Sequence, residues 1–288
     1  MKQYRITLGI EIGRDFIRLA EVEHREGKFF LAHVSEDKIE SLEVDGLVQK
    51  LSLLISSESI MARVASVAVD TSLMPRDTID IDPALLSEEI SGFLRAEIDF
   101  HSNFSGESYI PAYEITKAQV APFKEVFYAG LEKKLLMTLR EVCTRCGLDL
   151  QYVDLDHACS EVAVNKLQPG MNDYILVTVK EKQVEASYCR RGERLSYRYV
   201  VYSGEPFYFV TKLAQDLESI TKGYAERIYI TGRSADGFLI DLLRKSVDER
   251  YVLLEPTQGL TVSPAASEKE ALGTHPHRYS HAIGAALK

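Results

Sequence analysis

The chain is short of positive charge. Its 34 lysines and arginines are outweighed by 43 aspartates and glutamates, for a net charge of −9. No basic cluster or basic amphipathic helix stands out along it. An electrostatic nucleic-acid binder needs a basic footprint. A helix lying on a membrane needs a basic amphipathic face. Neither partner is expected. Long apolar runs are missing too: no stretch reaches the roughly 20 residues a spanning helix requires, so direct membrane insertion is not expected. Met1-Lys2-Gln3-Tyr4-Arg5-Ile6 enters a strand at once, without a signal-peptide pattern. The expected location is cytoplasmic.

Cysteine is also sparse, with four residues in 288. Cys143 and Cys146 form a Cys-x-x-Cys pair, a spacing used by redox motifs and by half of a zinc site. Leu135, Leu139, Val142, Cys143 and Cys146 recur at helical spacing, which points both thiols to a core instead. His275, His277 and His281 cluster near the end of the chain. A metal there would need a third strong ligand and a supporting shell, so a solvated, histidine-rich helix start is the expectation. Asp80 and Asp82 alternate on one strand face and read as solvated. No serine, histidine and aspartate arrangement is supported by spacing.

What is present is length and order. A hydrophobic content of 45% over 288 residues suffices for one large domain or two lobes. Three strands are expected over 5–34, with a turn at Arg25-Glu26-Gly27. A helix follows over 46–60, then a buried strand at 64–69. Next come a strand at 78–81, a helix from Pro83 to about 99, and strands at 109–116 and 125–130. A helix over 132–146 is capped by Gly147, and a strand and a helix reach Leu167. Gln168-Pro169-Gly170 is the clearest punctuation and the expected lobe boundary. A second three-stranded meander spans 174–201, with the turn Arg191-Gly192. A helix (206–221), a strand (228–231) and a helix (238–247) follow. Ser203-Gly204-Glu205 reads as a turn, 255–274 mostly as loop, and 277–287 as a closing helix of small residues.

Motif-like stretches recur along the chain. In Gly9-Ile10-Glu11-Ile12-Gly13 an acid and a glycine meet at a strand end, where Gly13 admits a left-handed turn or a close backbone approach. Val126-Phe127-Tyr128-Ala129-Gly130, Cys146-Gly147-Leu148 with Val153-Asp154, Ile228-Tyr229-Ile230-Thr231-Gly232 and Tyr279–Leu287 complete a set spread along nearly the whole chain. In this order they resemble the PilM branch of the actin-like superfamily, related to FtsA. The resemblance implies an α/β, actin-like (ribonuclease H-like) fold of two lobes with a cleft between the hairpins at Gly13 and Lys180. Lobe one would cover 1–168, with a small α+β subdomain inserted at about 64–130. A reduced lobe two would cover 169–288, with the closing helix 277–287.

The resemblance also places a nucleotide site. If retained, it would take ATP and magnesium at Glu11, Gly13, Arg14, Lys180, Gly232 and Arg233. The chain departs from that pattern at the second hairpin, where Thr178 and Lys180 stand in place of the aspartate and glycine. Arg233-Ser234 replaces a glycine-rich turn, and 203–227 leaves room for one long helix where relatives insert several. Loss of ATP hydrolysis, and of ATP binding, is the expected consequence, with no cofactor. The implied role is a cytoplasmic scaffold of a type IV pilus or related secretion machine. It would bind the short cytoplasmic tail of a bitopic, PilN-like inner-membrane protein and lie at the inner membrane through that partner. Ile79, Ile81, Tyr109 and Tyr113 would line the groove. Self-association is left open. The alternative is an active actin-like ATPase or a sugar-kinase-like enzyme.

Overall fold

A computed structural model describes residues 4–102, 108–115, 123–168 and 170–288. The expected calls at Thr116 and Pro169 lie outside the described residues. The chain forms two compact units, Met1–Leu73 with Met137–Gly170 and Leu254–Lys288, and Met74–Leu136 with Met171–Leu253.

The first unit is built on the opening meander. β1 (Tyr4–Ile12), β2 (Phe16–Arg25) and β3 (Lys28–Lys38) pair antiparallel, with Glu26 and Gly27 turning at positive φ. α1 (Val44–Ser57) buries Leu47, Leu51 and Leu54 and returns the chain to β4 (Val64–Val69), parallel to β1. Further along the chain, β8 (Asp149–Leu155) adds beside β4. β14 (Leu260–Val262) adds beside β3, inside the segment read as loop. The sheet order is β14-β3-β2-β1-β4-β8. α4 (Asp156–Leu167) and α9 (Ser280–Ala286) cover it, and the short α7 (Pro264–Ser267) and α8 (Glu270–Thr274) precede α9. The core joins Ala20, Val22, Leu31 and Val34 to Ala163, Leu167, Ala282 and Ile283.

The closing helix therefore belongs with the first meander, not with a second lobe. Two glycines make this packing possible. A Cβ on Gly9 would lie 1.8 Å from the Ala282 carbonyl oxygen, and one on Gly284 would lie 1.8 Å from the Cys159 carbonyl oxygen. α9 thus rests backbone to backbone on β1 and on α4.

The second unit holds two sheets. β9 (Asp173–Val179), β10 (Gln183–Arg190) and β11 (Glu193–Val201) form the second meander. β12 (Arg227–Thr231) and β13 (Tyr251–Leu253) extend it in the order β11-β10-β9-β12-β13. α5 (Phe207–Thr221) and α6 (Gly237–Ser246) pack their apolar faces into a core with Ile175, Val177, Val184 and Ile230. The smaller sheet has the order β5-β7-β6, from β5 (Arg76–Ile81), β6 (Tyr109–Ile115) and β7 (Lys124–Glu132). α2 (Ser87–Ser102) covers one face of it. α3 (Lys133–Arg145) leads from β7 back to the first unit.

Two expected boundaries move. The subdomain begins at Met74, not 64, because β4 is claimed on both edges by β1 and β8. It also groups with the second meander rather than with the first lobe. Side chains of β7 and β11 interlock: Phe127 and Tyr197 rings lie 4.2 Å apart, Arg198 pairs with Glu125, and the Tyr199 hydroxyl donates to the Arg76 carbonyl at 3.0 Å.

The glycine contacts predict opposite outcomes for one substitution. Gly284→Ala should cost about 2–3 kcal/mol in urea unfolding, since backbone atoms must move apart. Gly92→Ala, where a Cβ meets nothing within 4 Å, should be neutral or stabilising by up to about 1 kcal/mol.

Candidate functional site

In the first unit, strand register lines up three charges. Glu11 on β1 stands opposite Arg18 on β2, and Arg18 stands opposite Glu36 on β3. Arg18 Nη1 donates to both Glu11 carboxylate oxygens at 3.2 Å, while Nε and Nη2 reach Glu36 at 2.9 and 3.2 Å. His281 Nδ1 from α9 lies 2.9 Å from Glu11 Oε1. Arg18 and Glu11 are 1% and 2% exposed, so both charges depend on protein partners rather than water. Burial opposes ionisation of Glu11, but Arg18 and His281 outweigh it and hold its carboxyl below the usual carboxylate range. Burial also disfavours the Arg18 cation, and Glu11 and Glu36 more than restore it.

This arrangement gives Glu11 and Gly13 partners within the chain. Glu11 faces an internal guanidinium, with its oxygens committed to Arg18 and His281. Gly13 lacks a left-handed φ. It is required by a neighbour, because a Cβ there would sit 2.0 Å from the Phe16 ring. That ring in turn lies 4.4 Å beneath the Arg18 guanidinium. The space a glycine opens at this strand end is filled by Phe16. Arg14 is exposed at the turn.

The second hairpin is also closed from within. Lys180 Nζ lies 2.9 Å from Glu185 Oε1, and Glu185 is fully buried. The Tyr197 hydroxyl donates to Glu185 Oε2 at 2.8 Å, Gln183 Nε2 donates to Oε1, and Arg76 Nη2 stands 3.8 Å away. The Tyr202 hydroxyl fastens the Lys180 carbonyl at 2.8 Å. Lys180 serves a buried carboxylate on the next strand. Gly232 has φ +101°, and a Cβ there would lie 2.4 Å from the Val179 carbonyl oxygen. Ser234 N donates to the same oxygen at 3.1 Å. The glycine lets this turn close on the end of β9. Arg233 is exposed beside it.

Among the residues expected at a partner groove, Ile81 is 3% exposed and belongs to the core of the small sheet, with Ile90, Leu94, Ile98, Val126 and Tyr128. Alternation on β5 sends it under α2, so it is not available to a partner. Ile79, Tyr109 and Tyr113 are half-buried against the same core. The thiols follow the core reading: Cys143 is buried, Cys146 half-buried, and burial pushes Cys143 up to about 12. The histidine expectation is corrected. His277 and His281 are each 2% exposed, drawn inward as α9 packs on the sheet. No group of three or more metal-ligating side chains occurs among the described residues. No helix of the described residues is long and apolar enough to cross a membrane.

Residue-by-residue reading missed Arg18, Phe16 and Glu185. For Arg18 and Glu185 the signal was charge inside apolar strands, and counting register back from the first turn pairs Glu11 with Arg18.

The Glu11 pair has a pH signature. Because its carboxyl titrates lower in the folded chain than in the unfolded one, its stabilisation is complete above the unfolded value of about 4 and fades as pH falls through the folded value. Glu11→Gln should therefore cost about 3 kcal/mol at pH 7, by stranding part of a buried charge. The difference from the parent in urea unfolding should shrink steadily below about pH 4.

No protein-family model matches the chain, and no curated protein matches it. Solved structures do. One is the structure described as "PilM-PilN type IV pilus biogenesis complex", with a TM-score of 0.72 and 15% identity over 98% of this chain and 97% of that one. Another is a Bacteroides thetaiotaomicron protein described as having an actin-like ATPase fold and unknown function. Its TM-score is 0.53 and its identity 14%, over 88% of this chain and 91% of that one. The chain has the actin-like ATPase fold.

Proposed function

We propose that this protein is a scaffold of a type IV pilus or related secretion machine, not an ATPase. In this reading it holds the short cytoplasmic tail of a bitopic, PilN-like inner-membrane protein and is drawn to the membrane by that partner. The observation that carries it is the near full-length likeness to the structure described as a PilM-PilN complex. Fold alone does not fix function. The closed hairpins supply the second support, because Phe16 and Arg18 fill the first and Glu185 neutralises the lysine of the second. Phosphoryl transfer depends on preorganised charge aimed at the phosphates, and these charges are aimed at one another.

The full chain is needed to test this. A fragment ending at 168 would strip α9 and β14 from the first unit's sheet. The tagged full chain, mixed with detergent-solubilised inner membrane, should retain a single-pass protein with a short cytoplasmic tail, and deleting that tail should abolish retention. Retention that survives the deletion, or no such protein, overturns the reading. Calorimetry with magnesium-ATP should show no micromolar binding, and phosphate release should not exceed the buffer rate. Micromolar affinity or steady turnover would favour the enzyme instead.

A further inference from the structure

The charged row at Glu11 lies at one end of the first meander, and a second polar row lies at the other. Strand register sets Arg5 of β1 opposite His24 of β2, and His24 opposite Phe29 of β3. The next row inward on the same face has Thr7 opposite Val22. Lys166, in the last turn of α4, and Leu287, just past the end of α9, reach the same place. Together they enclose a cavity of about 100 Å³. Val22, Phe29 and Leu287 give it apolar walls, and Arg5, His24 and Lys166 supply polar groups.

Two of these cations lack a counter-charge. Arg5 Nη2 donates to Gln151 Oε1 at 2.7 Å, and Lys166 Nζ donates to the Leu287 carbonyl. Both acceptors are neutral, and each contact spends one N–H and leaves the others. Among the described residues neither cation meets a carboxylate, and no carboxylate side chain lines the cavity. Lys288 also borders it, but its charge is met by Asp154. The His24 ring stacks on Phe29 with centres 4.8 Å apart, and its nitrogens make no hydrogen bond among the described residues. Burial and the neighbouring Arg5 charge both push the Lys166 ammonium below the usual lysine range, as for like charges held close together. The negative ends of helices attract cations, which accounts for Lys166 and Lys288. It does not account for Arg5 and His24, which stand on strands.

Volume and donor placement narrow the occupant. A water molecule occupies roughly 30 Å³, so the cavity has room for one small group. Pockets for drug-sized ligands span roughly 300–1,000 Å³, which leaves no room for a nucleotide. The spare donors come from three elements, β1, β2 and α4, rather than from one fork. That placement suits a tetrahedral oxyanion, with acceptors on every side, better than a planar carboxylate.

We infer that this cavity is a binding site for phosphate, free or as the end group of a small phosphate monoester, held by Arg5 and Lys166 with His24 as a third donor. The inference is independent of the scaffold reading. A bound anion bridges β1, β2 and α4 where the end of α9 packs, so its occupancy stabilises the first unit.

The test is urea unfolding of the full chain with inorganic phosphate at up to about 20 mM, with ionic strength held constant by sodium chloride so that screening does not change. The parent midpoint should rise with phosphate as one-site linkage requires. Isothermal titration should show saturable binding. Arg5→Gln with Lys166→Gln should weaken that binding by about tenfold or more, as loss of charge-assisted hydrogen bonds does, and Lys166→Arg should keep it. Cooperative unfolding without phosphate shows that the double variant is folded. If it is not, Arg5→Gln alone makes the same comparison, since Lys166 then keeps its contact with Leu287. A parent midpoint that phosphate does not raise, or an equal rise in the folded variant, overturns the inference. So does binding to phosphatidylglycerol vesicles that the variant loses, with no response to free phosphate, because the cations then serve a lipid surface. None of these outcomes depends on whether a membrane partner is retained.

Discussion

The Arg18 guanidinium, held between Glu11 and Glu36 inside the first meander, is the interaction on which the first unit depends. A buried cation is costly unless its donors are met. Here the hairpin registers meet them, because two adjacent strands set a carboxylate directly across from it on either side. Phe16 lies under the guanidinium and Gly13 gives way to Phe16. His281 then ties the closing helix to the same carboxylate. One charged cluster thus links three strands, one turn and the last helix. Register is what such a pair specifies best, since slipping a strand by one residue would send Arg18 to the opposite face.

The second meander solves a similar problem with different residues. Glu185 on its middle strand is fully buried and gathers Lys180, Tyr197 and Gln183 around it. The two meanders share a plan, and each has a charge on its central strand that is satisfied by its own neighbours. The signs are reversed, with a cation at the centre of the first and an anion at the centre of the second. A binding hairpin must leave donors or a cation pointed outward, with their hydration lost only when ligand arrives. The charges described here have already made that exchange internally.

The local elements were legible in the sequence because their signals are local. Leu47, Leu51 and Leu54 recur at helical spacing, and Val64–Val69 is a β-branched run, so α1 and β4 stand near where periodicity sets them. The unit boundaries were not legible, because grouping is a tertiary property. Nothing in Leu260–Val262 alone says that it will pair with Phe29–Leu31, 231 residues earlier. The small-residue pattern of 277–287 announced close packing, but not against which partner. Only the contacts of Gly9 with Ala282 and of Gly284 with Cys159 decide that. At the candidate site the sequence singles out Glu11, Gly13 and Gly232 as a nucleotide site, and the structure gives each of them a partner within the chain. What each glycine makes room for depends on the neighbour that fills the space, which is far along the chain at Val179 and three residues away at Phe16.

That distinction bears on what a motif match at these positions reports. Gly13 and Gly232 are both needed for backbone or ring approach irrespective of any ligand. A motif match at such positions therefore reports the fold, while the charges around them report the chemistry. Glu11 and Lys180 are each neutralised by a residue that packing holds in place.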